Sequence, residues 1–275
     1  MNVRLVGVVI TSIIVVLFFG TCTPSTTQQL QEQTLELVWS DEFDGVEGSQ
    51  PSSQYWSMEI GTGTNGWGNQ ELQYYTDRPK NVAQDGNGHL VIQAHQESYG
   101  GRSFTSARLK TQGKITKKYG RIEARIKNPF GPGLWPAFWM LGENFEEVGW
   151  PQSGEIDIME MRGQLPSTIH GSIHGPGYSG SNPITQSYTL SNARFDDDFF
   201  VYAVEWHPER IDFFVDDYLY QRVTPGDVSG EWVFNQPFFL LLNVAVGGNY
   251  VGFPTQETVF PQKMMVDYVR VYSIE

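Results

Sequence analysis

The stretch Trp150–Arg162, WPQSGEIDIMEMR, sets three carboxylates, Glu155, Asp157 and Glu160, among Ile156, Ile158, Met159 and Met161. Apolar residues interleaved with acids read as a β-strand with one packed face and one wet face. Glu155 and Asp157 are two residues apart and therefore share a face. Glu160 is five residues after Glu155, so a regular strand would turn it into the core, where an ionised carboxylate is very costly. One extra residue near Ile158–Met159, a β-bulge, removes the conflict and turns Glu160 onto the face of Glu155. The expectation is a sheet protein with three acids in a row on one bulged strand.

Three acids on one face repel each other, so stability does not favour the arrangement, but chemistry can. Two neighbouring carboxyls, one ionised and one protonated, are the machinery of retaining glycoside hydrolysis. Spacing alone leaves two other readings open: an acidic strand facing solvent, and a metal site.

Joined to the W-P-x-x-G before it, E-I-D-I-M-E resembles the bulged signature of glycoside hydrolase family 16, in particular its laminarinase-like endo-β-1,3-glucanases. Other members have the shorter E-x-D-x-E. Asn65–Thr76, NGWGNQELQYYT, resembles the family segment G-W-G-N-x-E-L-Q-x-Y, with Gln70 where asparagine is more usual. The resemblance covers nearly all of residues 35–275. It implies an all-β jelly-roll sandwich of the concanavalin A-like type, two antiparallel sheets with a groove across the concave one.

The resemblance also implies roles. Glu155 is the nucleophile, Glu160 the acid and then the base, and Asp157 the residue between them that hydrogen-bonds the nucleophile. No cofactor is implied for catalysis. The implied substrate is the internal β-1,3 bond of laminarin-type glucan, with mixed-linkage β-1,3-1,4-glucan or agarose as alternatives within the family. A lectin-like module that binds sugar without cutting it is the alternative outside enzymes, since fold does not fix function. Trp67, Asn69 and Arg108 are implied sugar contacts; the bland alternatives are a Trp67 plug beneath a loop and a surface Arg108. Many members hold a structural calcium, and the matching positions are Glu42, Gly88 and Asp267, a mixed set of oxygen ligands that suits that ion.

Other residues suggest a saccharide groove. Gly131–Gly142, GPGLWPAFWMLG, delivers Trp135 and Trp139 from a Gly/Pro-rich turn, and Trp150 lies beside the acids. Indole faces pack on the C–H faces of sugars, although Trp139, with an apolar neighbour on each side, also fits a core. His174 is a hydrogen-bonding candidate at the cleft or a buried structural histidine. His170 and His174 lie about 13 Å apart along a strand, too far to share one ion. Asn243 interrupts the apolar run of Gln236–Asn249, where a buried amide needs partners among core groups or sugar hydroxyls.

The remaining chain fits this picture. Tyr119–Lys127 alternates strictly, with Ile122, Ala124 and Ile126 facing one way. The Asn-Gly turn before Leu90, Ile92 and Ala94 and the Asp216-Asp217 turn read as hairpin signals. Pro176–Asn192, rich in Gly, Ser and Asn, reads as a long loop bordering the groove. No long stretch shows helical periodicity. A formal charge of −13 repels nucleic acid and anionic membranes and is indifferent to a neutral glucan. A monomer is expected.

Residues 1–21 read as a secretory signal: Arg4, the apolar run Leu5–Phe19, then Gly20-Thr21. Cys22, the single cysteine, follows the small residues in the manner of a bacterial lipoprotein site; the expectation is a secreted protein, either anchored through a lipid on Cys22 or released by ordinary cleavage nearby. Residues 22–34 read as a polar linker, and 35–275 as the catalytic domain.

Overall fold

Alternation in the sequence becomes strand pairing in the computed structural model, which describes residues 34–275. The expected signal, Cys22 and all but the last residue of the expected linker lie outside the described residues.

One sheet runs in the order β13 (Ile184–Thr189), β12 (Thr168–His174), β11 (Glu155–Met161), β10 (Leu134–Gly142), β17 (Phe238–Val246), β7 (Arg108–Lys110) and β2 (Ser57–Met58), with β8 (Thr116–Lys117) also on β17. The other runs β16 (Tyr218–Val223), β15 (Arg210–Val215), β14 (Phe200–His207), β9 (Gly120–Lys127), β18 (Gln262–Ile274), β5 (Leu90–Tyr99), β6 (Arg102–Ser106) and β3 (Gln73–Tyr75). To this second sheet β1 (Leu35–Asp41) adds on β18 and β4 (Val82–Gln84) on β5. The pairings are antiparallel except β3 with β6. The result is the expected jelly-roll sandwich.

The core lies between the sheets. Ile122, Ala124 and Ile126 of β9 and Leu90, Ile92 and Ala94 of β5 meet Ile156, Ile158, Met159 and Met161 of β11, all fully buried. Every residue of β17 is buried, Asn243 included, as its otherwise apolar run requires for a strand covered on both faces. A small second cluster, Leu141, Phe239 and Leu241 with Trp139 and Phe145 beside it, occupies the other face of the eight-stranded sheet. The one α-helix among the described residues is the four-residue turn Phe145–Val148.

Pro176–Asn192 is not a continuous loop. Its middle, ITQSYT, pairs with β12 as the edge strand β13. Four of its six residues are exposed, so the strand has little apolar content to announce it, and the surrounding Gly, Ser and Asn mask it.

Candidate active site

The bulge is present. Against β10, Phe138 pairs with Met159 and Trp139 with Asp157, which leaves Ile158 as the extra residue. Against β12, Asp157 pairs with Ser172 and Glu160 with His170. Ile158 and Met159 both enter the core, and Glu155, Asp157 and Glu160 emerge on the opposite face. A two-versus-one count in the ladder thus re-aims one side chain.

Each outer acid is held by an indole. Trp150 donates its N–H to Glu155 Oε2 at 2.8 Å, and Trp135 donates to Glu160 Oε1 at 2.9 Å. Burial pushes the Glu160 carboxyl well above the usual carboxylate range; the charges of Asp157 and Glu155 add to the rise, while His174 and the Trp135 hydrogen bond oppose it. Burial likewise raises Asp157 well above its ordinary value, helped by the charge of Glu155 and a hydrogen bond with it. Burial and the neighbouring charge thus favour the protonated form of Asp157, and its hydrogen bond with Glu155 needs a proton on one of the two carboxyls. Crowded acids cannot all ionise, and the proton stays on the most buried ones.

His174 completes the group. Its Nε2 sits 3.1 Å from Asp157 Oδ2 and 4.0 Å from Glu155 Oε1. The contact is close but not aligned as a hydrogen bond, so Asp157 Oδ2 has no aligned donor among the described residues. Donor atoms of Glu155, Asp157 and His174 lie within 4.8 Å of one another, which raises the metal reading again. A metal would need the Nε2 lone pair, hence a proton on Nδ1. Nδ1 instead accepts the backbone N–H of Gly180 at 3.2 Å. His174 is therefore in the wrong tautomer to offer Nε2 to a cation, and the donor set does not fit a resident ion.

On the β17 side a chain of donors runs through the sheet. Trp139 Nε1 donates to Asn243 Oδ1 at 2.8 Å, Asn243 Nδ2 to the Tyr75 hydroxyl at 3.3 Å, and that hydroxyl to Glu71 Oε2 at 3.2 Å. Trp139 pairs with Asp157 across strands and shares its face, so it belongs to the cleft and not to the main core. Both ends of the Asn243 amide are engaged, by Trp139 of the cleft and by the buried Tyr75. Asn69 reaches Glu71 Oε1 at 3.4 Å. Arg108 pairs with Glu59, and its guanidinium lies 4.5 Å from the ring centre of Trp67 and 4.8 Å from that of Trp139. Trp67 is half-buried, packed against Gly63 and tilted on Tyr75, which joins the plug and groove readings in one residue.

The model of glycosyl hydrolases family 16 matches residues 69–270. The chain belongs to glycosyl hydrolase family 16. It is 44% identical to a β-glucanase of Rhodothermus marinus, over 86% of this chain and 85% of the relative. It is similar to the solved endo-β-1,3-glucanase of Pyrococcus furiosus at 48% identity, with a TM-score of 0.84, covering 89% of this chain and 97% of that one. The laminarinase catalytic domain of Thermotoga maritima follows at 47% identity and a TM-score of 0.82, covering 87% and 98%.

Within this family 16 site, two residues escaped sequence reading. Tyr250 stacks 5.0 Å from Trp135 and 6.0 Å from His170, and carries the Arg162 guanidinium at 4.2 Å. Its only signal is the pair Gly247-Gly248, both with positive φ, just before it. Glu71 is a nearly buried acid whose carboxyl is raised by burial against the pull of Arg108; in sequence it is the glutamate of the G-W-G-N-x-E-L-Q-x-Y segment, with nothing there to give it a role.

The calcium positions of this family 16 chain lie away from the acids. Arg270 engages both oxygens of Glu42 at 2.9 and 2.8 Å, and Arg125 engages Asp267. A cation held by the backbone oxygens of Glu42 and Gly88 with Asp267 would meet one carboxylate beside a guanidinium. That is a weak charge count for calcium.

Proposed function

We propose that this protein is a retaining endo-β-1,3-glucanase that cuts internal bonds of laminarin-type glucan. The observation that carries the reading is the bulge that brings a buried, proton-holding Glu160 onto the face of Glu155. Glu155, with its oxygens receiving Trp150 N–H and the Asp157 proton, attacks the anomeric carbon. The glycosidic C–O bond breaks, and the departing oxygen takes the proton of Glu160. Water then attacks the glycosyl ester of Glu155 while Glu160 removes its proton, which frees Glu155 and restores the acid with net retention. The half-buried indoles of Trp67 and Trp139 line the side of the cleft opposite His174.

Glu155→Gln, tested by reducing-sugar release from laminarin, is expected to fall to background with an unchanged fold. Wild-type turnover in that variant would overturn the assignment. NMR of the first product formed is expected to show the β-anomer.

Three further proposals rest on sequence alone. Export with a lipid on Cys22 is supported by the run Leu5–Phe19 and the small residues after it; mass spectrometry of the mature N-terminus tests it. A structural calcium at Glu42, Gly88 and Asp267 is supported by the family pattern, and chelation by EDTA should lower Tm if the ion is resident. A monomeric state is tested by sedimentation.

A further inference from the structure

The sandwich has an open flank where the edge strands β13 and β16 face each other. Elsewhere the inner faces carry apolar side chains. Here they carry amides and phenols. Gly171 pairs with Gln186 and Ile169 with Tyr188, so Gln186 and Tyr188 point to the inner side of the sheet, away from the acids. On β16 a register shift sets Gln221 opposite the core residue Phe213, and Tyr220 is the bulged residue beside it. A cavity of about 310 Å³ opens between them, lined by Ile184, Gln186, Tyr220, Gln221, Arg222 and Asp227 among others.

Two polar atoms in this wall are buried with no partner among the described residues: Gln221 Oε1 and the Tyr220 hydroxyl. Gln221 is 8% exposed, so its orphaned oxygen carries a real desolvation cost. The charges nearby are already engaged. Arg222 binds both oxygens of Asp212 at 2.6 and 2.8 Å, and Asp227 accepts the N–H and hydroxyl of Thr224. Tyr188 and Tyr218 extend the wall outward with rings 5.3 Å apart, and Tyr218 is 59% exposed. The cavity and its border thus offer aromatic faces, an acceptor in need of a donor, and the exposed Asp227 carboxylate, a further acceptor for hydroxyls. A pyranose has flat C–H faces, many hydroxyl donors and no charge.

We propose that this flank cavity holds a glucose unit of a neutral β-glucan, as a second contact with the polymer outside the catalytic cleft. The choice of β-glucan rests on the function proposed above. The cavity and the acids occupy opposite faces of the same sheet, so the contact raises the local concentration of long or particulate glucan without taking part in cleavage.

The test compares the full-length wild type with Gln221→Leu and Tyr218→Ala. Retention on insoluble β-1,3-glucan particles is expected to fall on the order of three- to tenfold in each variant. Turnover of a short soluble laminari-oligosaccharide and the Tm of exposed-site Tyr218→Ala should stay at wild-type values. Unchanged retention in both variants overturns the proposal, as does an equal fall in short-substrate turnover. If the wild type cuts no β-1,3-glucan, the functional reading fails. The cavity is then judged by NMR of the Gln221 side-chain amide on addition of laminaritriose: a shift supports it and no shift overturns it.

Discussion

Trp135 donates its indole N–H to Glu160 Oε1 at 2.9 Å while its ring stacks on Tyr250, so one side chain both lines the cleft and holds the acid. A donor to a carboxylate favours the ionised form and opposes the rise that burial imposes on Glu160. Trp135→Phe keeps the aromatic face and removes the donor. The Glu160 carboxyl should rise further, so the basic limb of the kcat/KM profile, where the acid loses its proton, should move to higher pH. The peak rate should drop as the carboxyl loses its fixed orientation. A basic limb that stays in place, measured on laminarin across the acid-to-neutral range, would contradict this.

The same crowding has a stability consequence. Asp157 and Glu160 have folded-state pKa values raised above the model values of 3.8 and 4.5. Between those values and the raised ones the native state binds more protons than the unfolded chain, so stability falls as pH rises through that window. Asp157→Asn and Glu160→Gln remove the titration and should raise Tm at neutral pH. The gain should shrink toward zero below about pH 3, where both wild-type carboxyls are protonated in either state. Calorimetry at pH 3 and pH 7 reads the difference directly.

How much of this was legible in the sequence depended on local chemistry. The bulge could be read because its alternative, a charge in the core, is prohibitive, and β9 and β17 could be read because their patterns admit one burial. The groove tryptophans were visible as residues but not as hydrogen-bond donors to the acids, since Trp135 is 25 residues from Glu160 and register alone joins them. β13 was hidden because an edge strand with hydroxyl side chains looks like a loop. The chain Trp139–Asn243–Tyr75–Glu71 spans three separate segments, so no local pattern could assemble it. Glu42 sits among the acids Asp41 and Asp44 and Asp267 stands alone in an apolar strand, and only the fold brings Arg270 and Arg125 to them.

Arg108 lies over both Trp67 and Trp139 and is anchored by Glu59. A planar guanidinium can face two indoles and still form an ion pair, whereas an ammonium acts as a point charge. Arg108→Lys keeps the charge and loses the stacking that sets the two rings. On the proposed reading those rings meet sugar away from the reacting bond, so KM on laminarin should rise about three- to tenfold with kcat nearly unchanged. A fall in kcat alone would place Arg108 in the chemistry instead.

The bulge itself can be tested by changing its length by one residue each way. Ile158 is the unpaired residue, so its deletion gives E-I-D-M-E-M, a regular strand in which Glu155, Asp157 and Glu160 still share a face. That variant should fold and retain measurable hydrolysis, at a stability loss of about 2–5 kcal/mol for the missing core side chain. Inserting one alanine after Ile158 has the opposite geometry. Every residue beyond it changes face, and Glu160 is driven into the apolar core while Met161 turns outward. Hydrolysis should vanish and Tm should fall further than in the deletion. Reducing-sugar assays beside thermal melts decide the matter: an active insertion variant, or a deletion that kills activity while leaving the fold intact, would show that Glu160 does not work from the face that the bulge gives it.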